Sequence, residues 1–276
     1  AMDSRCHTIT LLYNVHRLKQ LVINDDSGVS VADSIASMCR SSWRVDSSMI
    51  RLFLPFLQKA NKITSFPFLS SHTTAPSSLA SIFNIINTTQ AIRDSSAPCY
   101  YNAKPLELSP FEDLTHASPK PLDNSVALTK LWESFSKELE CIPTHDIKAH
   151  NHTLFFLLKK YTSYIPAQQE VGCFIPFFDA AKMHMAFALC AYTHKQGATA
   201  STQSLPYLLC SGDVSGIQNF IYNITSSKAA KSLKGRSFYL QIFVDAIIRQ
   251  LLEELGLHQT NIIYASGGHY YLLAPN

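Results

Sequence analysis

Apolar residues recur at three- and four-residue steps through much of the first 200 positions. "VADSIASMCR", "SLASIFNIINTTQAI", "SVALTKLWESFSKELECI", "NHTLFFLLKKYTSYI" and "FDAAKMHMAFALCAYTH" all carry this spacing. It lines up one apolar stripe per segment and predicts helices. Between the second and third of them, "SAPCYYNAKPLELSPFEDLTHASPKPLDNS" is studded with prolines, each of which fixes φ and removes a backbone donor. That stretch predicts a long irregular connector. No internal repeat is visible.

The pattern changes after the polar segment "HKQGATASTQSLP". "LPYLLCSG" is a short apolar run ending in glycine and predicts a buried strand. "DVSGIQNFIYNI" opens a short helix with Asp213 or Ser215 as its cap. "SKAAKSLKGRS" reads as a basic loop. "FYLQIFVDAIIRQLLEELG" predicts a long helix with Phe238, Ile242, Phe243, Ala246, Ile247, Leu251 and Leu255 on its buried side and Gly256 past its end. "NIIYAS" and "HYYLLA" predict two strands joined by Gly267-Gly268, a turn that needs positive φ. The order strand, helix, strand, strand is the first two-thirds of a ferredoxin-like unit. The fold class expected is therefore α+β, a mostly helical N-terminal region followed by a partial ferredoxin-like palm.

Glycine usage follows the same division. Gly28, Gly172 and Gly197 precede residue 200, and Gly212, Gly216, Gly235, Gly256, Gly267 and Gly268 follow it. A net charge of +3 is too mild to imply a nucleic-acid partner by itself. The seven cysteines lack paired spacing, which suits reduced thiols of a cytoplasmic protein better than a disulfide framework or a zinc site. No apolar run approaches the roughly 20 residues that span a bilayer. The opening "AMDSRCHT" lacks a signal-peptide apolar segment, and Ala1-Met2 reads as a cloning scar.

"GDVSGIQNFIYNITSSKAAKSLKGRSFYLQ" followed by "NIIYASGGHYYLLAPN" resembles the first palm domain of the Csm-type large subunit of type III CRISPR effector complexes. Upstream, "NAKPLELSPFED", "LWESFSKEL", "TLFFLLKKYTSYIPA" and "FFDAAKMHMAFAL" resemble that family's segment between its HD nuclease domain and first palm, and "VADSIASMCR" resembles the last HD helix. The resemblance implies three regions: residues 1–45 a remnant of the HD-like helical region, 46–200 a helical linker, and 201–276 an incomplete first palm. It further implies a parent protein of antiviral defence, with single-stranded DNA nuclease activity and two palms that join ATP into cyclic oligoadenylates, using Mg in the complete protein. The partners implied are the other effector subunits, with crRNA and target RNA reached indirectly, no membrane, and self-association through an exposed sheet edge. By the resemblance, the His-Asp metal pair and the second palm's Gly-Gly-Asp-Asp hairpin both lie outside this chain.

The candidate nucleotide-binding residues are Asp213, Ser215, Gly216, Ile217, Gln218, Lys234, Gly267, Gly268 and His269. Two-metal nucleotidyl transfer needs carboxylates on the first strand and on the hairpin, and Mg²⁺ prefers hard oxygen ligands. His269 stands where the family's catalytic hairpins carry an acid, so no catalytic residue is expected and this palm reads as degenerate. The retained hairpin then shapes a nucleotide pocket, although Asp213 also suits a helix cap and the glycines a plain turn. Ser215 is the choice for adenine or ribose, and the amides after Gly216 for phosphate. Lys228, Lys231, Lys234 and Arg236 form a basic cluster that suits either a solvated loop or triphosphate. His145-Asp146, with His150 and His152, imitates a metal pair but lacks remote partners. Asp33 matches the closing acid of the HD site, and Asp179 is followed by Ala180 where the family has histidine. Two rival readings stay open: a cyclase-like half-domain acting as a dimer, and a non-enzymatic scaffold palm that docks other subunits.

Overall fold

The structure, a computed structural model, describes residues 3–23, 29–39, 43–64, 78–84, 99–107, 118, 120–168, 173–197, 205–223 and 229–276. The chain divides into two compact units, residues 4–188 and residues 189–276, the latter including residues 1–3. The fold is mixed α+β.

The first unit is helical. Helices Val31–Met38, Ser125–Glu140, Ile147–Thr162 and Phe177–Gln196 lie where the apolar spacing predicts them. Two more, Ser4–Ile23 and Ser47–Thr64, were not predicted. Ser4–Ile23 is buried on every side along most of its length, so it has no solvent face and no amphipathic period. Several of its polar residues are bonded inside the unit. Thr8 donates to Asn151 Oδ1 at 2.9 Å, Asn14 donates to the Thr10 carbonyl at 2.8 Å, and Arg17 donates to Asn61 Oδ1 at 3.2 Å. Tyr13 OH accepts from Asn61 at 2.9 Å and its ring stacks on His184. Burial lowers Arg17 to a pKa of about 10 and His184 to about 3, so this imidazole stays neutral at any physiological pH. Ser47–Thr64 carries Pro55 inside it, a breaker signal overridden by burial of Ile50, Phe53, Leu57 and Ala60.

The helix predicted over "SLASIFNIINTTQAI" is corrected. Leu79–Ala80 is a strand, β1, paired antiparallel with Tyr100–Tyr101, β2, and Ile82–Asn84 is one 3₁₀ turn. Backbone bonds to other segments supply the reason: Ala80 N–H reaches the Cys173 carbonyl at 2.8 Å and Ser81 N–H the Cys99 carbonyl at 2.9 Å. Residues 85–92 of that prediction lie outside the described residues, as do residues 96–98, 108–117 and 119 of the proline-rich connector.

The second unit holds a three-stranded antiparallel sheet in the order β3 (Tyr207–Asp213), β5 (His269–Pro275), β4 (Ile262–Ser266). The two strands of the glycine hairpin stand where predicted, and β3 pairs with the second of them from Tyr207↔Pro275 to Asp213↔His269. A short helix, Ile217–Tyr222, and a long one, Ala229–Glu254, complete the strand, helix, strand, strand order. Gly256 closes the long helix with φ +61°, and Leu257 N–H returns to the Leu252 carbonyl at 2.7 Å. Asn261 is fully buried; it donates to the Leu273 carbonyl at 2.7 Å and accepts from His258 N–H at 3.0 Å, which ties the helix exit to β5.

Three predictions in this unit are corrected. The run "SKAAKSLKGRS" is not a loop from residue 229 onward but the first turns of the long helix, while Lys228 lies outside the described residues. The helix buries Val244, Ile248 and Leu252, spaced four apart, whereas Phe238 and Ile242 are 65% and 52% exposed. Its apolar residues surround most of the cylinder, so periodicity alone does not fix which stripe faces inward. Finally, β3 is not buried: Leu208 and Leu209 point to opposite faces and both are exposed, because β3 is an edge strand among the described residues.

Candidate functional site

The end of β3 and the tip of the β4–β5 hairpin meet. Asp213 and His269 are direct cross-strand partners, and their side chains face each other, Nδ1 to Oδ1 at 3.1 Å, with both more than half exposed. Val214 N–H donates to the Gly268 carbonyl at 3.0 Å, one residue past the ladder. Gly267 and Gly268 have φ of +61° and +91°, the two successive positive values that a tight two-residue hairpin requires.

The chain leaves β3 through Ser215 and Gly216. Gly216, at φ +79°, is the N-cap of the short helix, with no side-chain capping bond. The prediction of Asp213 or Ser215 as cap is therefore corrected: Asp213 still belongs to the strand, and its carboxylate is turned to His269. Arg236 is held at the far end of the same helix. Its Nη1 donates to the carbonyls of Phe220 at 2.5 Å and Asn223 at 2.8 Å, and its guanidinium sits over the Phe220 ring. It satisfies carbonyls that the helix end leaves open. Gln218 on the short helix and Lys231 and Lys234 on the long one are exposed.

A pocket of about 290 Å³ opens beside this junction. Ile217 and Ile221 form one wall, Leu240 and Val244 of the long helix another, and Gly267-Gly268 one end. Of the nine candidate residues, Ile217, Gly267 and Gly268 line it; Asp213 and His269 stand at the adjoining junction, and Ser215, Gly216, Gln218 and Lys234 do not line it. Sequence reasoning missed Ser237, Gln241 and Asp245, which line it too.

The site carries one carboxylate and one imidazole at the positions where palm chemistry needs two carboxylates. The carboxylate is already paired, so the residues present do not fit a pair of Mg²⁺ ions. Elsewhere, Asp146 is the N-cap of Ile147–Thr162 and accepts from Lys148 N–H at 2.8 Å. His150 is buried against Trp43, with ring centroids 4.5 Å apart, and His152 meets Phe156. Asp33 lies in the first turn of its helix, 2.5 Å from the Ser30 hydroxyl and 3.8 Å from Arg51. Asp179 occupies the first turn of Phe177–Gln196. Among the described residues no group of three or more His, Cys, Asp or Glu could hold a metal ion, and no helix is long and apolar enough to cross a membrane.

All seven cysteines are free, and burial pushes the Cys190 thiol up to about 12.

Residues 206–276 match the family model described as Csm1 subunit domain B. Among curated proteins, a CRISPR system single-strand-specific deoxyribonuclease Cas10/Csm1 (subtype III-A) from Enterococcus italicus is 30% identical over 222 residues, which cover 72% of this chain and 28% of that protein. The protein of the same description from Mycobacterium tuberculosis is 35% identical over 139 residues, covering 45% of this chain and 17% of its own length. The chain thus spans less than a third of the curated relatives it matches. Among solved structures, a Csm1–Csm4 cassette in complex with AMPPNP superposes with a TM-score of 0.72 at 19% identity, covering 99% of this chain and 40% of that one. A Csm1–Csm4 cassette in complex with one ATP gives 0.68 at 20% identity, covering 99% and 39%. At these identities the structures speak for the fold.

Proposed function

We propose, from the premise that this chain belongs to the Cas10/Csm1 family of type III CRISPR large subunits, that residues 201–276 form a degenerate first palm that binds ATP. The observation that carries this reading is the pocket: a retained Gly-Gly hairpin, an apolar wall and a polar helix face converge beside a junction that has lost its second carboxylate. A hairpin that no longer holds metal but still closes a pocket of this size is suited to binding a nucleotide. Structures of similar chains in complex with ATP and AMPPNP support the choice of nucleotide.

In this reading the chain's own residues bind and orient. Ile217 and Gly267-Gly268 shape the cavity, Ser215 faces adenine or ribose, the amides after Gly216 approach phosphate, and His269 occupies the Asp213 carboxylate in place of metal. Cyclic oligoadenylate synthesis is then completed with a second palm, whose hairpin supplies the catalytic carboxylates and Mg²⁺. Residues 1–45 are assigned as a remnant of an HD-like region and 46–200 as a helical linker. The effector's other subunits are the partners, with crRNA and target RNA reached through them.

ATP titration followed by the ¹H–¹⁵N signals of Gly216, Gly267 and Gly268 tests the assignment. Shifts are expected at these three amides, with an affinity at least tenfold weaker in Gly216→Val. A Cβ at Gly216 meets nothing within 4 Å, so the effect comes from the positive φ that valine cannot hold, which re-aims the turn. Unchanged affinity in a folded Gly216→Val protein would refute the phosphate contact assigned to this turn.

Nuclease activity is expected to be absent from this chain. Asp33 is already shared between Ser30 and Arg51, and it belongs to no group of three or more potential metal ligands among the described residues. Incubation of single-stranded DNA with Mn²⁺ should leave it intact, whereas cleavage abolished by His145→Ala would reinstate the His145-Asp146 pair.

A scaffold role is favoured by one observation, the exposure of Leu208, Leu209 and Tyr271 on the sheet. A docking palm uses such a surface, and it would bind a partner subunit without responding to ATP.

A further inference from the structure

One side chain straps together the two helices that wall the pocket. Arg236 of the long helix reaches the last turn of Ile217–Tyr222, where its Nη1 donates to the carbonyls of Phe220 at 2.5 Å and Asn223 at 2.8 Å. The guanidinium carbon also stands 5.3 Å from the centre of the Phe220 ring. Ser237, the residue after Arg236, lines the pocket, and so does Ile221, which lies between the two carbonyl-bearing residues. The strap therefore runs from one wall of the slot to the other.

The short helix depends on such ties. It has six residues, well under the roughly 12–15 at which an isolated helix becomes even marginal in water. Its N-cap, Gly216, offers no side-chain bond, and none of its residues is buried. At the entrance, Val214 N–H is bonded to the Gly268 carbonyl. At the exit, Arg236 takes two carbonyls with one planar, permanently charged group, at the helix end where the macrodipole is negative. The same placement argues against phosphate as its partner. An anion there would meet the negative pole, and it would compete for N–H groups already donated.

We infer that Arg236 is a positioning residue for this pocket, an inference that rests on the ATP reading above. It acts on the nucleotide through the short helix, by keeping Ile217 and Ile221 docked opposite Leu240 and Val244. Docking and nucleotide binding then share one equilibrium. A chain whose short helix is undocked has no apolar wall to offer, so the apparent affinity falls with the docked fraction. Bound nucleotide favours docking in return, because it binds the docked state better.

Hydrogen exchange and ATP titration on the whole chain test this in wild type, Arg236→Gln and Arg236→Lys. The amides of Phe220 and Asn223 are bonded within the short helix, to the Gly216 and Asn219 carbonyls at 3.0 and 3.1 Å. In Arg236→Gln both should exchange about tenfold faster, while the buried Leu272, Leu273 and Ala274 of β5 keep their protection. ATP should bind about tenfold more weakly, the effect of losing a bond to a charged group. Saturating ATP should restore protection at Phe220 and Asn223. Arg236→Lys, which keeps the charge without the planar fork, should fall between the two. The factor separating Arg236→Gln from wild type should be the same at low and high salt, whereas a phosphate contact is screened. Unchanged exchange at Phe220 and Asn223 in Arg236→Gln overturns the positioning role, as does faster exchange with ATP affinity unchanged. A factor that shrinks as salt rises overturns it in favour of a phosphate contact. If wild type itself binds no ATP, the ATP reading falls, whatever the exchange shows.

Discussion

Gly268→Ala is expected to weaken ATP binding at least tenfold, whereas Gly267→Ala, one residue earlier in the same turn, changes it by no more than about threefold. Both glycines sit at positive φ, so an alanine at either pays the left-handed penalty of about 1–2 kcal/mol. They differ in what a side chain would meet. At Gly267 nothing lies within 4 Å of an added Cβ, while at Gly268 the Ile217 Cδ1 atom is 2.1 Å away. Ile217 can yield, since Cδ1 is the end of a flexible side chain, but Ile217 is the pocket wall. Swinging it to another rotamer either fills the slot or removes one of its faces. The loss therefore appears in affinity, beyond a stability change that both variants share. Urea unfolding measures the shared part, with midpoints expected to fall together, and nucleotide titration measures the difference. Equal affinities for the two variants would show that Ile217 does not contribute to binding.

The contrast between those two glycines also marks what a sequence discloses. The hairpin was legible because a two-residue turn has few solutions and Gly-Gly satisfies the commonest. Positions of four helices were legible because their apolar residues recur at three- and four-residue steps. Helix Ser4–Ile23 was not, since burial on all sides removes the period, and its Thr8, Asn14 and Arg17 look like surface residues until their partners Asn151 and Asn61, far away in the chain, are known. The short pairing of Leu79–Ala80 with Tyr100–Tyr101 depends on backbone bonds to Cys99 and Cys173, again remote in sequence. In the site, the change of chemistry at His269 could be read directly, because a residue type at a motif position is local information. The polar lining could not be singled out: Ser237, Gln241 and Asp245 become a set only once the pocket they line has formed.

Self-association in solution is the second large effect expected. Strand β3 has β5 on one side and, among the described residues, no strand on the other, so no ladder runs along its outward edge. Leu208 and Leu209, 49% and 61% exposed, put apolar side chains on both faces of that edge, and Tyr264 and Tyr271 extend it across the sheet. The long helix adds an outer face of Phe238, Tyr239, Ile242 and Phe243, all exposed, with the Tyr239 and Phe243 rings nearly parallel. Each large side chain moved from water into a contact is worth about 1.5–3 kcal/mol, and large exposed apolar patches are rare on monomers. Edge pairing with a second copy satisfies the β3 backbone and covers Leu208 and Leu209 together. Light scattering at tens of micromolar should therefore give at least twice the monomer mass. Leu209→Lys with Ile242→Glu should return it to one, since a charge on the edge and another on the helix face each oppose closure. Hydrogen exchange then separates edge pairing from contact through the helix alone: the outward amides of Tyr207–Cys210 should be protected in the wild-type assembly and exchange fast in the double variant. A wild-type chain that scatters as a monodisperse monomer, with those amides exchanging rapidly, would rule the association out.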